Sequence, residues 1–168
     1  MRRWGGAVVG HAGFSRPGEL LGGMRLEDVY TPAERVRSAA GRTLEHWAGR
    51  LAGKRAVVRL LGLPPLAHHL GQVEILPLPA PDCRAGAACL DGHPPAVRLT
   101  GEPARRAGPH RVRVSISHTA THALAVALCS APLPEDARPD ALTVGGEWEA
   151  RPAIPVPGGA GGRGAGRG

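Results

Sequence analysis

The stretch Arg111-Val112-Arg113-Val114-Ser115-Ile116-Ser117-His118 decides the fold. Val112, Val114, Ile116 and His118 fall on one face, and Arg111, Arg113, Ser115 and Ser117 on the other. That period of two marks a strand with one side against a core. Thr119-Ala120-Thr121 separates it from a second alternating run, His122 to Cys129. There Leu124, Val126 and Leu128 oppose a face made of Ala123, Ala125 and Ala127. Two such runs joined by a short turn predict an antiparallel hairpin. The all-alanine face predicts an element packed very close to it.

The longest helical pattern supplies that element. It covers residues 43–62, TLEHWAGRLAGKRAVVRLLG, where Leu44, Trp47, Ala48, Leu51, Val58 and Leu61 recur at helical spacing. Gly62 offers a stop and Pro64 follows. On a helical projection Arg55 falls in the middle of the apolar stripe and Lys54 at its edge. A guanidinium there needs a partner, because burying an unpaired charge is very costly. It snorkels to solvent, faces a subunit interface, or sits in a cleft as an anion site or salt bridge.

Upstream, Thr31-Pro32-Ala33-Glu34 reads as a helix start, with Thr31 as cap, Pro32 in the first turn and Glu34 closing a capping box. That helix is expected to run to about Ala40. Residues 7–13 read as a short strand and 14–30 as irregular to helical. Downstream, 72–78 reads as a strand, 79–94 as a Pro-, Gly- and Cys-containing loop, and 95–100 as a strand after the turn at Asp91-Gly92-His93-Pro94. The expected architecture is an α+β domain over 1–130, a small antiparallel sheet packed on a long helix. Residues 131–168 are rich in Pro, Gly and charge and end in GGAGGRGAGRG, which predicts a disordered tail.

Composition narrows the functional classes. Hydrophobic residues make up 42% of the 168, enough for a core, but aromatics only 3%, so that core is aliphatic. No apolar run approaches the roughly 20 residues of a membrane span, and the short apolar stretch near the start does not suit a signal peptide. The expected location is cytoplasmic. Cys83, Cys89 and Cys129 are odd in number and contain no Cys-x-x-Cys pair, which predicts free thiols. The net charge of +7 favours an acidic partner. Nucleic acid is not expected, since five scattered aromatics make no stacking platform. Of 21 basic residues 20 are arginine, and Lys54 alone is lysine.

The polar cluster Ser115 to Thr119 sits at the hairpin corner. His118 beside two hydroxyls suits a base, an acid or a phosphate ligand, or a purely structural role.

Taken in order, the elements resemble the holo-acyl-carrier-protein synthase family of 4′-phosphopantetheinyl transferases. The residues that carry the resemblance are Thr31-Pro32-Ala33-Glu34-Arg35, Arg50-Leu51-Ala52-Gly53-Lys54-Arg55-Ala56, Gly92-His93-Pro94, and Val114-Ser115-Ile116-Ser117-His118-Thr119. They span about residues 7–130. The resemblance implies a phosphopantetheinyl-transferase-like α+β fold and a homotrimer with coenzyme A clefts between subunits. It implies transfer of the phosphopantetheine arm of coenzyme A to a serine of an acidic acyl carrier protein. It also implies Mg²⁺ on the pyrophosphate, held by an Asp after the first strand and by the Glu of a Lys-Glu-Ala motif. Coenzyme A ligands implied here are Lys54, Arg55, Ser117, His118, Gly92 and Pro94.

Both acids depart from the pattern. Arg55 stands at the Glu position, and Gly10-His11-Ala12 where the family has Gly-x-Asp. Mg²⁺ prefers oxygen ligands, so the usual metal site is expected to be absent. Lys54, Arg55, His11 and His118 are then the candidate catalytic groups. Three readings follow: a transferase of secondary metabolism whose arginine replaces the cation; a scaffold repurposed for metal-independent cyclisation or dehydration of a polyketide-like or carrier-bound intermediate; or a non-catalytic binder of carrier protein or coenzyme A.

Overall fold

A computed structural model of the chain describes residues 3–40, 43–77 and 93–131. The elements in order are β1 (Trp4–Gly10), a 3-10 turn (Pro17–Leu21), α1 (Leu26–Val29), α2 (Pro32–Ala40), α3 (Leu44–Leu60), α4 (Ala67–Gly71), β2 (Val73–Pro77), β3 (Pro95–Leu99), α5 (Gly101–Ala107), β4 (Arg111–His118) and β5 (His122–Ser130). β1, β5 and β4 form one antiparallel sheet in that order, and β2 and β3 pair antiparallel in another. The expected α+β architecture, small antiparallel sheets packed on a long helix, holds. Gly92, Cys83, Cys89 and the expected tail lie outside the described residues.

The hairpin forms as its alternation requires, with Val114 opposite Ala127 and Ile116 opposite Ala125. Ala123, Ala125 and Ala127 are fully buried beneath α3. The alanine face lets the helix backbone approach the sheet, and glycines complete the fit. A methyl group on Gly5 would collide with the Ala56 carbonyl and lie 2.6 Å from the Leu60 amide nitrogen. Gly5→Ala is therefore expected to cost about 1–3 kcal/mol through overpacking, read as a lower melting temperature. An unchanged melting temperature would mean that α3 does not seat on β1 as described.

Three expectations need correction. The first strand begins at Trp4 rather than at 7, and ends at Gly10. The added residues include Gly5, where the α3 backbone comes close. α3 has no simple apolar stripe, because it is buried almost all round, from Trp47 to Leu60 with Arg55 and Arg59 excepted. Lys54 is thus the buried cation and Arg55 the half-buried one, reversing their expected depths. Finally, α5 occupies 101–107, where no element had been expected; Pro103 fits its first turn, which needs no backbone donor there.

Candidate functional site

α3 carries Lys54 into the interior. The side chain is fully buried and its ammonium lies 2.7 Å from the equally buried Glu34 carboxylate. It also donates to the carbonyls of Leu70, at 3.0 Å, and Val73. These three acceptors match its three N–H bonds. Glu34 in turn accepts from the backbone N–H groups of Thr31 and Ile75, both at 2.8 Å. Burial pulls the Lys54 ammonium below the ordinary lysine range, and Glu34 opposes that shift. A compact ammonium suits three converging acceptors where a planar fork would not. One turn earlier, Arg50 is also buried, donating to Ser38 Oγ at 2.7 Å and to the Ile75 carbonyl at 3.2 Å. Together the two cations lock α2, α4 and β2 onto α3. Among the described residues Lys54 reaches no groove.

Arg55 does. It lines a groove of about 650 Å³ with Ala7 and Val8 of β1, Val58, Arg59 and the turn at Gly62 to Pro65. Burial lowers the basicity of its guanidinium, which stays charged. Arg59 lies one turn on and donates to the Gly6 carbonyl at 2.7 Å. Among the described residues neither arginine has a carboxylate within ion-pairing distance. Two like charges at this spacing repel, so the groove is a preformed place for an anion. Arg59 was missing from the sequence reading. Its signal was available in the four-residue spacing from Arg55.

His118 lies elsewhere. It borders a cleft of about 190 Å³ with Glu45, His46, Arg50 and His93. Its Nδ1 is 3.7 Å from a Glu45 carboxylate oxygen. Glu45 and Arg55 are ten residues apart on α3, about 15 Å along the axis. The Arg55 groove follows the β1 edge of the three-stranded sheet and His118 sits on the β4 edge, with β5 between them. Ser117 is exposed on β4, beside Leu124. His11 is buried at the end of β1, where its backbone N–H donates to the Thr121 carbonyl at 2.8 Å. Its Nε2 has no hydrogen-bond partner among the described residues. Pro94 borders a third groove, between β3 and β4. One chain thus brings His11 to the hairpin end of the sheet but does not bring Arg55 to His118.

The fold has counterparts among solved structures. An acyl carrier protein synthase from Mycobacterium tuberculosis superposes with a TM-score of 0.53 at 26% identity, covering 77% of this chain and 96% of that one. A Chronobacterium ammoniagenes synthase in complex with coenzyme A gives a TM-score of 0.57 at 26% identity, over 76% of this chain and 95% of the other. This is a holo-acyl-carrier-protein synthase fold. The Helicobacter pylori holo-acyl-carrier-protein synthase, also solved with coenzyme A, shares that fold at 22% identity with a TM-score of 0.52, over 76% and 99%. No protein-family model and no curated protein matches the sequence. Among the described residues no helix is long and apolar enough to cross a membrane.

Proposed function

We propose that the chain is a phosphopantetheinyl-transferase-like protein that binds coenzyme A, with Arg55 and Arg59 holding its pyrophosphate. The observation that carries this is the pair of guanidiniums on one groove, without a carboxylate between them. Guanidinium forks match phosphate oxygens bidentately and stay charged when half-buried.

Exposed apolar side chains support assembly of several copies. Trp4, Val8, Leu124 and Leu128 are 62, 56, 48 and 54% exposed on the outer face of the sheet. Val8 pairs with Leu124, and Trp4 with Leu128, which makes the patch continuous. Such a patch on a small domain marks an interface. The Arg55 groove on one edge of the sheet and the His118 cleft on the other suit a head-to-tail ring. In that ring each Arg55 would meet a neighbour's His118, as in a homotrimer with clefts between subunits. Leu124→Asp is expected to shift the protein to monomers by light scattering and to weaken coenzyme A binding. An unaltered chain that is already monomeric would remove this part of the reading.

The residues do not fit the family's Mg²⁺ site. Arg55 offers a cation where an oxygen ligand is needed, Ala12 offers no ligand, and the His11 ring is buried. In the transfer itself a carrier serine oxygen bonds to the arm phosphorus, the pyrophosphate P–O bond breaks, and adenosine 3′,5′-bisphosphate leaves with the bonding pair. The serine proton needs a base, and His118 beside Glu45 suits that role. Arg55 and Arg59 would stabilise charge on the leaving phosphate.

The test is incubation with coenzyme A and an apo-acyl-carrier protein, with and without Mg²⁺, followed by intact-mass measurement. A gain of one phosphopantetheine is expected. Coenzyme A binding without any mass gain would instead make the protein a binder, and absence of both would sink the reading.

A further inference from the structure

His69 on α4 is buried and has an acceptor at each ring nitrogen. Its Nδ1 lies 2.9 Å from the Pro64 carbonyl, and its Nε2 lies 3.3 Å from a Glu102 carboxylate oxygen. The Pro64 carbonyl has no proton to give, and it also accepts from the Leu66 N–H at 2.9 Å. Glu102 faces Arg106 Nε at 3.8 Å through its other oxygen, which suits a carboxylate rather than a carboxylic acid. A neutral imidazole carries one N–H and one lone pair. Either neutral tautomer therefore sets a lone pair of a buried ring against an acceptor. Only the imidazolium donates to both.

The two acceptors belong to different parts of the fold. Pro64 lies in the turn after α3, and with Pro65 it forms one wall of the Arg55 groove. Neither proline has an N–H with which to pin that wall. Glu102 lies in the first turn of α5, where its own N–H donates to Gln72 Oε1 at 3.0 Å. The His69 ring thus bridges the groove wall and the start of α5. Other charges around α4 are engaged elsewhere or exposed. α3 brings Lys54, bonded to Glu34 and to the Leu70 and Val73 carbonyls. β2 brings Glu74, which accepts from Thr31 Oγ1 and lies 3.5 Å from Arg98. α1 brings Glu27, paired with Arg25, and the exposed Asp28, whose backbone carbonyl faces Gly71. The nearest titratable neighbour is His68 on α4 itself, exposed, with its ring centroid 4.0 Å away.

We infer that His69 is a positioning residue: its doubly protonated ring clamps α5 to the wall of the Arg55 groove, and anion binding in that groove follows its protonation. While the ring holds both protons the clamp is closed. As the pH rises the ring gives up one proton, a lone pair meets an acceptor, and the seat of α5 and the set of the wall loosen together. A proton held in the folded chain stabilises it at the lower pH, and that contribution is lost as the pH rises. Arg55 and Arg59 keep their charge throughout, so the change does not come from them. That the anion is the pyrophosphate of coenzyme A rests on the function proposed above; the clamp does not.

The full chain is compared at about pH 6 and about pH 8.5, on either side of the ordinary histidine range. Nitrogen-15 spectra of the histidine rings report the protons on His69, thermal melts report the fold, and calorimetry reports inorganic pyrophosphate and coenzyme A separately. Glu102→Gln is the informative variant, because its amide donates to a neutral ring or accepts from a charged one and so keeps the contact at both pH values. His68→Ala controls for the neighbouring ring. The unaltered protein is expected to carry both His69 protons at the lower pH. On going to the higher pH it should lose about 3–6 °C of melting temperature relative to Glu102→Gln. Its pyrophosphate affinity should fall about fivefold relative to the same variant. Comparison with the variant removes the titration of pyrophosphate itself. His68→Ala should behave as the unaltered protein. A neutral His69 at the lower pH, or a pH dependence that Glu102→Gln leaves intact, overturns the inference. So does a pyrophosphate affinity that stays flat while the melting temperature falls, since His69 then serves the fold alone. Pyrophosphate binding that follows His69 in a protein that never takes coenzyme A keeps the clamp and removes the coenzyme A reading. No pyrophosphate binding at either pH overturns both.

Discussion

Replacing Lys54 by methionine is expected to lower the melting temperature by roughly 10–20 °C. The substitution keeps the length of the side chain but leaves the Glu34 carboxylate buried without its cation. Breaking a buried pair in this way costs about 3–5 kcal/mol. It also removes the donor to the Leu70 and Val73 carbonyls, where α4 meets β2. Lys54→Arg should be nearly as damaging, because a planar fork does not fit three acceptors set around one nitrogen. Glu34→Gln/Lys54→Met should recover part of the loss, since the amide oxygen still accepts from the Ile75 N–H. A Lys54→Met protein that melts normally but no longer binds coenzyme A would return Lys54 to the ligand-binding groups.

Arg55→Ala should have the opposite signature. Losing charge-assisted hydrogen bonds worth about 1.5–3 kcal/mol is expected to weaken coenzyme A binding roughly 10- to 150-fold. Stability should hold or rise slightly, because the variant relieves repulsion between Arg55 and Arg59. Arg55→Lys keeps the charge without the fork and should fall between. Calorimetry and a thermal melt separate the two effects. Full coenzyme A affinity in Arg55→Ala would remove the groove from the binding site, whatever the fold.

These two residues also show what could be read from the chain alone. The hairpin was legible because alternation is a local property. The start of α2 was legible for the same reason, and its capping box forms, with the Glu34 N–H donating to Thr31 Oγ1 at 3.3 Å. That local role hid the larger one. Once Glu34 is explained as a cap, nothing in the sequence says that it also meets a lysine 20 residues later. The apolar stripe misled for a related reason: a helix covered on nearly every side keeps no single polar face from which depth can be judged. Arg55 stands out inside the apolar stripe, whereas Arg59, four residues on, does not. The separation of Arg55 from His118 depends on strand order across the sheet, which no local pattern encodes.

The enclosed ammonium has a practical consequence for chemical labelling. The chain has one lysine side chain, and in the folded domain that amine is out of reach of solvent. Acylating reagents such as succinimidyl esters should modify it only during transient opening of the interior. Its rate of acylation therefore becomes a clock for that opening, readable by mass spectrometry of a single peptide. Immobilisation through lysine side chains would capture unfolded molecules and pass over native ones.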